Sequence, residues 1–262
     1  MQVTQLFLHP VKSLGGLPVS HFSIDRFGPV LDRRWLVVNS QGQFITQRQK
    51  AEMARVRVAL ELDRVTLHWG DDAISFSPAD FTGAPRQVQV WRDQCDAVSG
   101  PATVDAWLSR VLGLECQLVF MPDSSQRLVD PAFAQHRETV SFADGFPLLL
   151  ANEASLQDLN SRMSIEIGME RFRPNLVVSG APAFAEDQWQ RLRIGKMEFR
   201  VVKPCSRCAI PTIDPATAQK QPEVFKTLKT YRERNGEVFF GQNLLPMGTG
   251  SVQLGDVVEI LE

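Results

Sequence analysis

A chain of 262 residues, 44% hydrophobic and 22% charged, has the make-up of a globular protein with material for one large core or two smaller ones. A formal charge of -2 gives no global electrostatic footprint for DNA, RNA or an anionic membrane, so neither a nucleic acid polymer nor a membrane is expected as partner. The first residues, MQVTQLFLHPVKS, lack the charged start and long apolar stretch of a signal peptide, and the purest apolar run, FPLLLA, is too short to span a bilayer; a cytoplasmic protein is expected.

In chain order, the first 98 or so residues read mostly as short strands between polar or Gly-containing turns: VTQLFL, VSHFSI, RWLVV, MARVRVALEL, VTLHW, AISFS and VQVW. The stretches NSQGQ and WGDDA have the composition of hairpin connections. This half predicts a curled or barrel-like β-structure. A helix follows, with Pro101 in its first turn, Val104, Trp107, Leu108 and Val111 at helical spacing, and Gly113 as a left-handed cap. ECQLVF then alternates as a strand, with Cys116, Leu118 and Phe120 on one face, which makes Cys116 a small buried hydrophobe.

Residues 122–139 carry two prolines and little periodicity, and predict a surface connection between two domains, 1–121 and 122–262. The second half opens with an apolar strand feeding a helix that has Asn152 as N-cap, Leu156, Leu159 and Met163 on its buried face and an Asp158–Arg162 pair on its wet side. NLVVSG reads as a strand. LRIGKMEFRVV reads as two strands turning at Gly195–Lys196, the second of which delivers the chain to Cys205. A last helix is expected around EVFKTLKTYRERNG, with Phe225, Leu228 and Tyr231 inward and Gly236 as its stop, before SVQLGDVVEIL closes the chain as strand, turn and strand. The fold class is therefore α+β, predominantly β. No Gly-rich phosphate loop follows a strand, so a Rossmann or Walker nucleotide site has no support.

Four cysteines, at 95, 116, 205 and 208, are too few and too unevenly placed for a disulfide framework, and reduced thiols are expected. The pair in KPCSRCAIPTIDP admits several chemistries. Structural zinc needs four ligands, and no second paired motif supplies the rest. A dithiol redox centre belongs at the start of a helix, which Pro211 and the following Ile-Asp-Pro oppose. Two half-buried cysteines without function remain a further reading. Lys203 precedes the pair and Arg207 lies within it, and a thiolate beside phosphate-binding cations suggests a metal carried on a phosphorylated organic ligand.

The motifs HPVKSLGG, DRRWLVV, FITQRQ, FADGFPLLLANEASLQDLNSR, FRPNLVVSG, KPCSRC with its downstream IDP, TLKTYR, FGQN and GDVVEIL run in order through nearly the whole chain. On these the sequence resembles the MOSC-domain molybdenum enzymes with a MOSC N-terminal β-barrel, the YcbX-type bacterial proteins and mitochondrial amidoxime reducing components. The resemblance implies an N-terminal β-barrel-like domain followed by a MOSC β-barrel with a few packed helices. It also implies a molybdenum-pyranopterin (Mo-molybdopterin) cofactor in a cleft between the halves.

Carried over by motif, Cys208 and not Cys205 is the implied metal ligand and catalytic residue. Lys12, Ser13, Arg33, Arg173, Asn175, Ser206 and Arg207 match residues that hold the cofactor. Arg34 stands where the mitochondrial proteins have an aromatic, and Pro211 replaces a threonine common in the family. The family's activity implies a small-molecule N-hydroxylated substrate, reduced by two-electron oxygen removal. Neither the ferredoxin-like extension of some YcbX proteins nor the membrane-anchoring helix of the mitochondrial members is seen, so a separate electron-donor protein, ferredoxin- or flavin-reductase-like, is expected. A molybdenum cofactor or sulfur carrier, and a simple thiol oxidoreductase, are the competing readings.

Overall fold

A computed structural model describes residues 1–262. Short alternating segments in the first half pair as antiparallel ribbons. Arg57–Glu61, Arg64–Trp69 and Asp72–Phe76 form a meander, and Trp35–Val38, Gln117–Phe120, Asp93–Ser99 and Pro85–Val90 form a four-stranded sheet in that order. Helix α1 (Ala102–Leu112) ends on Gly113, whose φ of 64° is the left-handed conformation a helix stop requires. Its Trp107 and Leu108 pack into a core shared with the fully buried Trp35, which meets Phe76 at 5.4 Å and Phe120 at 5.1 Å between ring centroids. Cys116, Leu118 and Phe120 face this core, as their alternation predicts.

The second half is organised on one long sheet. Its order is Val258–Ile260, Arg191–Ile194, Met197–Ser206, Glu237–Pro246, Leu148–Asn152, Leu176–Ser179, Gln2–Leu8 and Leu17–Pro18. Only Leu148–Asn152 and Leu176–Ser179 run parallel, and their crossover contains α2 (Glu153–Asn160), capped by Asn152, whose side chain accepts from the Ala154 N–H. The first strand of the chain belongs to this sheet, with Gln2 opposite Ser179, and His21–Asp25 pairs with Gly250–Gln253. Hydrogen-bonded sheets thus cross residue 121, and the two halves are tied together at the level where the cleft lies.

Several local expectations are corrected. Ala51–Arg55 forms a 3₁₀ turn ahead of the strand at Arg57, because Met53 and Ala54 are drawn into the core. In α3 (Glu223–Arg232) the fully inward residues are Val224, Leu228 and Arg232, with Phe225 and Tyr231 only half-buried. Arg232 goes inside because it reaches Asp187 and the Phe239 carbonyl. Gly236, at φ 79°, turns the following hairpin and does not stop the helix. Within 122–139 the chain is not merely superficial: Val129 is buried, and so is Arg127, which donates to the Ser141 carbonyl and pairs with Asp93. No helix is long and apolar enough to cross a membrane.

Candidate functional site

Three short segments meet over a cleft of about 270 Å³ between the halves: the loop after the first strand, the turn before Leu176–Ser179, and the far end of Met197–Ser206. All eight residues implied by motif line this one cleft. Chain separation among them, from Lys12 to Cys208, is bridged by the sheet pairing of the first strand with Leu176–Ser179.

The first loop owes its shape to backbone economy. Ser13 has φ 67°, and its carbonyl accepts from the Gln47 side chain at 2.8 Å. Gly15 and Gly16 follow because the chain passes too close for a side chain: a Cβ at Gly15 would lie 2.7 Å from the Val56 carbonyl oxygen, and one at Gly16 would lie 2.5 Å from the His9 ring. Lys12 is thereby turned inward, and its ammonium donates to the Phe142 carbonyl at 2.6 Å and to Asp144 Oδ1 at 2.7 Å.

Arg33 and Arg34 separate cleanly. Arg33 reaches Asp32, Asn175 Oδ1 and the Arg173 carbonyl at the cleft wall. Arg34 turns away to the Met121 carbonyl and Asp123 and does not line the cleft. Asn175 is a knot under the floor: its Oδ1 accepts from Arg33 at 3.1 Å and from the Leu149 N–H at 3.2 Å, and its Nδ2 donates to the Phe7 carbonyl. Arg173, at φ 56°, donates to the Leu14 carbonyl at 2.7 Å.

Met197–Ser206 contains two register shifts against Glu237–Pro246, between Val201 and Lys203 and between Pro204 and Ser206. Such irregularities bend a strand and re-aim its side chains. Here they carry the Cys-Ser-Arg-Cys segment over the cleft. Arg207 Nη1 donates to Cys205 Sγ at 2.9 Å and Nη2 to the Phe172 carbonyl at 2.7 Å. Cys205 is half-buried and Cys208 is exposed. The next turn, Ile210–Thr212, is a single 3₁₀ turn containing Pro211, so no helix dipole faces the pair. Cys95 and Cys116 lie elsewhere as buried thiols, with burial pushing Cys95 up to about 11.

Positive charge dominates the lining. Arg173, Arg207, Lys203 and Arg48 contribute cations to the cleft and make no ion pair, whereas Lys12 is matched by Asp144 and Arg33 by Asp32. Burial, then the Arg33 charge, pushes the Arg173 guanidinium down to about 9. Burial also lowers Lys12, with Asp144 opposing. Arg173 Nη2 and Arg207 Nε are buried without hydrogen-bond partners. Such groups are costly unless an anion completes them. No three His, Cys, Asp or Glu side chains converge at any point, so a metal at Cys208 would have to bring most of its own ligands.

Thr46, Arg48, Trp91 and Asp144 also line the cleft, and no sequence signal singled them out as site residues. Thr46 and Arg48 lie in FITQRQ and Asp144 in FADGF, which marked their neighbourhood, whereas Trp91 belongs to none of the motifs.

Residues 1–115 match the MOSC N-terminal beta barrel domain and residues 137–259 match the MOSC domain. Mitochondrial amidoxime-reducing component 1 of Mus musculus is 32% identical over 281 residues, covering 99% of this chain and 82% of the mouse protein. The chain belongs to the MOSC family. Among MOSC relatives, the Homo sapiens mitochondrial amidoxime-reducing component 1 is 31% identical with the same two coverages. Molybdenum cofactor sulfurase of Oryza sativa is 29% identical over 92% of this chain but only 32% of its own length.

Proposed function

We propose that this MOSC protein is a molybdenum-cofactor-dependent reductase of N-hydroxylated compounds such as amidoximes and hydroxylamines. The observation that carries the reading is one exposed thiol, Cys208, set at the end of a bulged strand inside a cleft whose cations outnumber its carboxylates. Similarity to proteins named for amidoxime reduction over nearly the whole chain supports it.

The donor set fits a molybdenum-pyranopterin. A single thiolate suits a metal whose remaining ligands come from the dithiolene, and partnerless guanidinium nitrogens suit the pterin phosphate. When bound, the cofactor supplies two-electron chemistry, so that an N–OH compound, two electrons and two protons give the amine or amidine and water. Cys208 would ligate the metal. Arg173, Arg207, Lys12 and Ser13 would hold the phosphate and pterin, Ser206 would contribute beside them, and Arg33 would brace this wall through Asn175. Electrons would come from a separate ferredoxin- or flavin-reductase-like protein.

The test is protein produced in a host that makes the pterin, analysed for molybdenum and assayed with a chemical reductant and benzamidoxime. Stoichiometric metal with benzamidine formation is expected. Bound metal without any substrate-dependent oxidation would favour the carrier reading, to which the similarity with molybdenum cofactor sulfurase lends support. Turnover that persists after molybdenum is withheld would point instead to thiol chemistry.

A further inference from the structure

At the mouth of the cleft, the N-terminal half contributes an aromatic surface that the cofactor assignment leaves unused. Trp91 sits in the tight turn between Pro85–Val90 and Asp93–Ser99, at φ 58°, a conformation rare for a bulky residue. It is 43% exposed, although its indole is held on three sides. Nε1 donates to Asp144 Oδ1 at 3.1 Å, the Phe44 ring lies 5.2 Å away, and the Arg48 guanidinium stands 4.3 Å from its ring centroid. Asp144 Oδ1 also receives the Lys12 ammonium, so one carboxylate fixes the indole and the implied cofactor anchor together.

Arg48 has no carboxylate partner. Its guanidinium rests on the Trp91 face and makes a long 3.4 Å approach to the Thr46 hydroxyl. Lys203, also in the lining, lies over Phe133 at 5.1 Å and is likewise without an ion pair. Neither belongs to the residues carried over as cofactor-binding. A guanidinium laid on an indole is oriented before any ligand arrives, and an arginine so placed offers paired N–H donors to a carboxylate or phosphate.

We infer that Trp91 and Arg48, aided by Lys203, form the recognition surface for the reacting compound, and that it favours planar aromatic N-hydroxylated molecules bearing an anionic substituent. Trp91 gives flat apolar contact, and Arg48 reads the charge. This inference rests on the reductase reading for the word "reacting", while the binding surface itself does not.

The test uses cofactor-loaded protein, with the pterin cradle filled, and two matched probes. Turnover of para-carboxybenzamidoxime is compared with that of neutral benzamidoxime, and binding of unreactive terephthalate is compared with that of its saturated cyclohexane counterpart by calorimetry. Wild type should prefer the carboxylated substrate and the planar dianion. Arg48→Gln should lower kcat/KM for the carboxylated substrate and affinity for both dianions by about tenfold, with neutral benzamidoxime affected much less. Trp91→Ala should remove the planar preference, and Trp91→Phe should retain most of it. Circular dichroism and molybdenum content establish that each variant is folded and loaded.

Equal use of charged and neutral substrates by wild type, or unchanged discrimination in both Arg48→Gln and Trp91→Ala, overturns the inference. So does loss of molybdenum in Arg48→Gln, which would place that residue in the cofactor cradle. Terephthalate binding that depends on Arg48 and Trp91, in a protein that reduces neither amidoxime, would uphold the recognition surface and overturn the reductase reading.

Discussion

Arg207 donates an N–H to the Cys205 sulfur at 2.9 Å, so the two cysteines of one short motif are chemically unequal before any cofactor is present. Cys205 is engaged and half-buried, whereas Cys208 is exposed and its sulfur has no hydrogen-bond partner. A dithiol mechanism would use both sulfurs.

The first prediction follows from that inequality. Cys208→Ser should abolish benzamidoxime reduction by the loaded protein, because a hydroxyl is a poor substitute for a soft thiolate ligand. Cys205→Ser should keep most of the activity, since a serine oxygen can still accept from Arg207. The pair is compared at equal molybdenum content, and equal losses would return the motif to a dithiol role.

Arg173 carries the second prediction. Its guanidinium is already pushed down to about 9 by burial and by Arg33, a cost that a bound phosphate would relieve. Arg173→Ala should therefore reduce cofactor occupancy at least as strongly as Lys12→Ala, whose ammonium also serves Phe142 and Asp144 within the protein. Metal and pterin analysis of purified variants decides this, and full occupancy in both would remove the anchoring role.

Much of this site was legible in the sequence for a definite reason. That Cys208, Arg173 and Lys12 share one cleft was implied by the motifs that carry the family resemblance, and the alternating strands around them have a period that reading can detect. Trp91 was different. It is one aromatic at the end of VQVW, and nothing local tells that its indole reaches Asp144, 53 positions away in the chain. Register carries that information. The same limit explains α3, where Arg232 displaced Tyr231 from the inner face because Asp187, on a distant 3₁₀ turn, awaited a cation. Pairing of the first strand with Leu176–Ser179 was equally invisible, since long-range strand pairing leaves no local periodicity.

Asn175 tests whether the floor of the cleft is structural. Its amide joins Arg33, the Leu149 N–H and the Phe7 carbonyl, and hence links the two strands on either side of Leu176–Ser179 to the cleft wall. Asn175→Ala should cost roughly 2–4 kcal/mol in urea unfolding, as expected when several buried hydrogen-bonding groups lose their partner. Cofactor occupancy should fall with it. A stable variant that lost only the cofactor would show that the amide acts on the pterin directly.

His9 contributes a pH response to stability. It is fully buried, its Nε2 lies 3.1 Å from the Pro174 carbonyl oxygen, and Nδ1 has no partner. Burial first, then the Arg33 and Arg173 charges, hold its pKa well below 6.5, with the Pro174 contact opposing. The folded protein thus keeps His9 neutral where the unfolded chain would bind a proton. Stability from this group is complete above pH 6.5 and is lost as pH falls below it, at a limiting rate of about 1.4 kcal/mol per pH unit until the folded-state pKa is reached. Urea unfolding of the cofactor-free protein across this range should show the slope, and His9→Gln should flatten it while lowering stability at neutral pH. An identical pH profile in the variant would mean that other groups set the acid limit and that His9 is not held neutral by its surroundings.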